Sequence, residues 1–109
     1  MSQTTTFPFE IIYCGFEAAP IPWEQNNIFS PVWRLWYNFQ TAGHVRTGDE
    51  VRHLQAREFM ILPGKQLFST WTETKFDQFY IHFVFTDNVK VTCDDIFTVP
   101  SDTFSDEYI

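Results

Sequence analysis

The 109-residue sequence predicts an all-β domain, a barrel or sandwich of short strands, on three observations. Thirteen Phe, four Tyr and four Trp make 19% of the chain aromatic, and aromatic side chains fit the half-buried surface of a sheet. Between Pro31 and Thr86, apolar and aromatic runs follow one another with turn signals between them. No stretch of about ten to twelve residues has a helical period, which leaves helix only to the termini. With 44% hydrophobic residues the chain has enough apolar material for one core and is expected to form one domain.

The elements follow in order. Cys14 lies on a lead-in strand, and Ala18-Ala19-Pro20-Ile21-Pro22 is an extended connection enforced by its prolines. Val32 to Gln40 is an aromatic and aliphatic strand, and Thr41-Ala42-Gly43 a turn or bulge. His44 to Thr47 and Val51 to Leu54 form a hairpin about Gly48-Asp49-Glu50. Glu58 to Leu62 is closed by Pro63-Gly64. Leu67 to Glu73 and Phe76 to Thr86 complete the series, the latter being the longest aromatic strand.

Two of these strands divide their faces in the same way. Trp33, Leu35, Tyr37 and Phe39 share one face with a plain apolar character, as do Phe79, Ile81, Phe83 and Phe85. The opposite faces carry Arg34, Trp36 and Asn38, and Gln78, Tyr80 and His82. Rings mixed with a few hydrogen-bonding groups suit a pocket for a small polar ligand, although an ordinary outer or intersheet face is the alternative. We therefore place Arg34, Trp36, Asn38, Gln78, Tyr80 and His82 around one cavity inside the barrel. Arg34 would anchor a hydroxyl or carboxylate, Trp36 or Tyr80 would stack on an apolar sugar face, and Asn38, Gln78 and His82 would supply neutral hydrogen bonds. A register slip of one residue would turn all six outward.

Charge excludes several classes of function. Seven basic and 14 acidic residues give a net charge of −7, which disfavours nucleic-acid binding by this chain alone. The excess lies at the two ends, while residues 34–86 hold five acids and six bases. No apolar run approaches the roughly 20 residues of a membrane span, and the N-terminus has no signal-peptide pattern, so the expected compartment is the cytoplasm. Cys14 and Cys93 permit one disulfide by count, but two reduced thiols fit that compartment better.

Four segments then occur in a recognisable order: Arg34-Leu35-Trp36-Tyr37-Asn38, Gly43-His44-Val45-Arg46-Thr47-Gly48, Phe59-Met60-Ile61-Leu62-Pro63-Gly64, and Tyr80-Ile81-His82-Phe83. Over residues 30 to 86 the chain resembles the N-terminal ligand-sensing domain of AraC-type transcription regulators, a cupin-like double-stranded β-helix (jelly-roll) barrel. The resemblance implies a barrel that binds a sugar or other small metabolite as effector. It implies a C-terminal pair of helix-turn-helix motifs in the whole regulator, which this chain lacks. It also implies ligand contacts at positions aligning with Gln78 and Tyr80, whereas Arg34, Trp36 and Asn38 rest on alternation.

Many cupins are metalloenzymes, but the residues here depart from their ligand motifs. Leu67 stands where the second motif, Leu62-Pro63-Gly64-Lys65-Gln66-Leu67, would carry its His. The first motif lands near Ser30, Val32 and Trp36, and His44, His53 and His82 are scattered along the chain. No nucleophile elbow or phosphate loop is present, and Cys14 has no neighbouring base to lower its pKa. The expectation is therefore no metal, no cofactor and no catalysis, with a weak homodimer formed through exposed strand edges. A small stand-alone cupin enzyme acting on a sugar, and a dimerisation module without ligand, are the alternatives.

Overall fold

In the computed structural model, residues 9–18, 23–86 and 95–100 are described, and among them every regular element is a β-strand. The strands are β1 (Phe9–Glu17), β2 (Gln25–Ile28), β3 (Trp33–Asn38), β4 (His44–Thr47), β5 (Glu50–His53), β6 (Glu58–Leu62), β7 (Phe68–Trp71), β8 (Gln78–Phe85) and β9 (Phe97–Pro100). They form two antiparallel sheets, one ordered β1-β8-β3-β6-β9 and the other β2-β7-β4-β5. The expected all-β class holds. Among the described residues no helix is long and apolar enough to cross a membrane. Residues 19–22 of the expected connection and Cys93 lie outside the described residues; Cys14 is a free, exposed thiol.

The turn residues account for several chain reversals. Gly48 has φ +59° at the first central position of the β4–β5 hairpin, the placement typical of a two-residue type II′ turn. After β6, Lys65 rather than Gly64 takes the positive φ, at 63°. Gly64 is needed for another reason: a Cβ there would sit 2.3 Å from the Pro31 carbonyl oxygen. That close approach lets the Lys65 N–H donate to the Ser30 carbonyl at 2.7 Å and ties the β6–β7 turn to the entry of β3.

The core lies between the sheets. Trp36, Met60 and Leu62 of the five-stranded sheet meet Val45 and Phe68 of the other, closed by Trp23, Leu54, Phe76 and Ile96. Trp23 joins the layers through edge-to-face contacts with Trp36 at 5.2 Å and Phe76 at 5.3 Å.

The plain apolar faces of β3 and β8 do not pack into the core but form the outer side of the five-stranded sheet. The ladder places Phe16, Phe79, Tyr37, Phe59 and Val99 in one outward row across all five strands. Those side chains pack mainly on each other, as in the Tyr37–Phe59 contact at 4.7 Å. The mixed faces of both strands point inward.

Candidate functional site

Strand pairing assembles the six predicted residues as three cross-strand pairs. Arg34 lies opposite His82, Trp36 opposite Tyr80, and Asn38 opposite Gln78 on the inner faces of β3 and β8. Five of the six line a cleft of about 200 Å³: Arg34, Trp36, Gln78, Tyr80 and His82. Asn38 does not line it. It is buried beneath, where its Oδ1 accepts from Gln78 Nε2 at 3.0 Å and its Nδ2 donates to the Ala42 carbonyl at 2.7 Å. Both ends of the amide are occupied by the fold, so Asn38 orients Gln78 instead of meeting a ligand.

Four further residues complete the cleft: Tyr13, Glu17, Trp23 and Gln25. Tyr13 reaches it through a β-bulge. Ile11 lies opposite Phe83 on the outer side, the register then shifts, and Tyr13 lies opposite His82 on the inner side. Simple alternation would leave Tyr13 on the face of Ile11, and the extra residue, Ile12, reverses it. Gly15 opposite Tyr80 leaves room for the ring, because a Cβ there would lie 2.9 Å from the Tyr80 hydroxyl.

The electrostatics centre on Arg34. Burial lowers its pKa from the ordinary value, yet a guanidinium stays charged in proteins. It lies 5.0 Å from the centre of the Phe68 ring, a cation–π distance, and its Nη1 donates to the Val32 carbonyl at 3.3 Å. Glu17 lines the same cleft, but among the described residues no carboxylate forms an ion pair with Arg34. Burial, with Arg34 as the second cause, holds the His82 imidazole below its ordinary pKa. A hydrogen bond with Tyr13 pushes the Tyr80 hydroxyl up to about 12. The cleft therefore offers the Arg34 cation, a neutral imidazole, the Tyr13 and Tyr80 hydroxyls, the Glu17 carboxylate and the Trp36 ring.

Two histidines scattered in the sequence meet elsewhere. His44 Nδ1 lies 2.5 Å from His53 Nδ1, while His44 Nε2 lies 2.6 Å from Glu73 Oε1 and the ring stacks on Trp71. The three groups are arranged in a line with His44 in the middle. Among the described residues no group of three His, Cys, Asp or Glu side chains is placed to hold a metal ion. A second depression, of about 440 Å³, is lined by Asn27, Arg46, Gly48, Asp49, Leu67, Phe68 and Ser69, where Arg46 and Asp49 bring opposite charges to one lining.

No family model matches the chain, and no curated protein matches it. Solved structures share its fold. A crystal structure of ToxT from Vibrio cholerae with an unsaturated fatty acid bound aligns with a TM-score of 0.52 at 8% identity, over 91% of this chain and 43% of that one. The apo form of a lysine-to-alanine variant of ToxT aligns at 0.51 and 7% identity, over 88% of this chain and 43% of that one. The chain thus spans less than half the length of ToxT, and at these identities the likeness is one of fold.

Proposed function

We propose that this chain is the effector-sensing domain of an AraC-type transcription regulator, and that a small organic anion, a carboxylate with an apolar body, occupies the cleft between the sheets. The half-buried guanidinium of Arg34, which forms no ion pair with a carboxylate among the described residues, carries the proposal. A partly desolvated cation whose partners are a carbonyl and an aromatic ring costs free energy that an anionic ligand would offset, which a neutral sugar does less well. Trp36 and Tyr80 supply flat apolar surface for the body of the ligand, and Gln78 and His82 supply orienting hydrogen bonds. At about 200 Å³ the cleft lies below the usual range of roughly 300–1,000 Å³, so the effector is small.

The family reading rests on the ordered motifs and draws support from the fold of ToxT, an AraC-family regulator. Strand order supports the cupin barrel: β1-β8-β3-β6 facing β2-β7-β4-β5 has the eight strands and crossing connections of a two-Greek-key jelly roll. We read the role as binding and not catalysis: the lining joins Arg34, His82 and the single carboxylate of Glu17 to aromatic rings and two amides. In such a regulator DNA is read by a helix-turn-helix region distinct from this barrel, and the protein acts in the cytoplasm.

Calorimetric titration with small carboxylates, fatty acids and neutral sugars tests the proposal. A carboxylate should bind, and Arg34→Gln should weaken it by about 10- to 150-fold, the loss of one charge-assisted hydrogen bond of about 1.5–3 kcal/mol. Undiminished affinity in Arg34→Gln, or binding confined to neutral sugars, would overturn the assignment of the anion.

A further inference from the structure

We propose that the outer face of the β1-β8-β3-β6-β9 sheet is where two copies of this chain pair, sheet against sheet. The proposal does not depend on what the cleft binds. An antiparallel sheet with one face on the core ordinarily presents polar residues on the other. The second sheet comes nearer to this, with His44, Arg46, His53 and Ser69 on its outer side beside Val51 and Trp71. The five-stranded sheet does not. At its outward ladder positions, from the row of Phe9 and Phe85 to the row of Phe16 and Val99, there is no charged residue on any of the five strands. Phe9, Ile11, Phe16 and Phe97 at these positions, with Phe39 just beyond β3, are between 40% and 56% exposed. Contiguous apolar area of this kind marks an interaction site.

Size favours a second copy as the occupant. Five strands about 4.8 Å apart and about seven residues long at ~3.3 Å each give a face of on the order of 550 Å². Contoured side chains expose more than that footprint, and two such faces approach the lower bound of about 1,200 Å² for a specific interface. A single helix, about 10 Å across, would cover less than half of the ~24 Å width. A copy supplies a face of equal width and equal twist, suited to aligned sheet packing. Two copies at −7 repel each other at long range, but that repulsion is screened by salt and no acid would be desolvated between the faces. The interface expected from strand edges thus moves to the sheet face, where the rings rather than the ladder supply the contact.

Sedimentation equilibrium of the whole chain up to high micromolar concentration tests this, with circular dichroism to confirm that each variant keeps its strand content. The wild type should show a monomer–dimer equilibrium. The double variant Phe16→Glu/Phe39→Glu should weaken it by at least about tenfold, as loss of buried aromatic contacts does. Leu67→Glu, equally exposed at 55% but outside this sheet, should leave it unchanged. Phe97→Ser, at the opposite edge of the face, repeats the test should the double variant fail to fold. A wild type that stays monomeric, which would leave the face to a different partner, overturns the proposal. So does a dimer indifferent to the face variants, or one equally weakened by Leu67→Glu.

Discussion

Asn38 and Gln78 face each other across β3 and β8, and both are almost wholly buried. Both ends of the Asn38 amide have a partner in the fold, so its removal leaves Gln78 Nε2 and the Ala42 carbonyl unsatisfied. Asn38→Ala should cost about 1–3 kcal/mol of stability, checked by urea unfolding. An unchanged midpoint would show that the network is dispensable. His82 answers a different question. Because burial and Arg34 hold its folded pKa down, the unfolded chain binds the proton more tightly. Stability from the neutral imidazole is therefore present above the ordinary value of 6.5 and is lost as pH falls through the folded pKa. Denaturant titrations from about pH 7 down to about pH 5 should show a steeper loss in the wild type than in His82→Gln. Equal acid losses would dissociate the effect from His82.

At the scale of elements, β4 and β6 occur with the bounds their residues predict, and β3, β5, β7 and β8 differ only by a residue or two at each end. Strong alternation between glycine or proline turns makes such segments legible. β2 and β9 were not predicted. Gln25-Asn26-Asn27-Ile28 is polar, with Asn27 at φ 53°, and its strand character comes from pairing with β7. Phe97-Thr98-Val99-Pro100 has strand-forming residues, but they stand beside an acidic segment that masks them. The turn after β6 supplies the test at this scale. Gly64→Ala forces a methyl group against the Pro31 backbone and should destabilise the fold by about 1–3 kcal/mol. Thermal or urea unfolding of that variant checks it, and a wild-type midpoint would mean that the turn shifts freely away from β3.

At the scale of the molecule, charge and topology act together. A chain with 14 acids against seven bases offers no electrostatic attraction to phosphate, and no helix occurs among the described residues to enter a groove. By itself it should leave duplex DNA unbound at about 150 mM salt, even at the roughly 10⁻⁴–10⁻⁶ M typical of non-specific binders. A gel-shift assay showing a micromolar complex would contradict this. The asymmetry between the sheets also belongs to this scale. One sheet turns its polar side outward and the other its aromatic side, a distinction visible only once strands from distant parts of the chain lie side by side.

Alternation by itself determined that Arg34, Trp36 and Asn38 share one face of β3, and Gln78, Tyr80 and His82 one face of β8, because side chains on a strand reverse every residue; the pairing of the two strands joined the two sets. Composition, the short runs between turn signals and the absence of a helical period together determined the all-β class. Tertiary structure alone decided which side is the inside, since both faces of these strands are rich in aromatic rings and local pattern cannot tell a core from an interface. It also withdrew Asn38 from the cleft by burying it under Gln78. Tyr13, Glu17, Trp23 and Gln25 entered the lining through the partners of β1 and the chain around β2, and Tyr13 did so through a bulge that breaks the period on which alternation depends. Long-range pairing sets those positions, and a local periodicity holds no record of it.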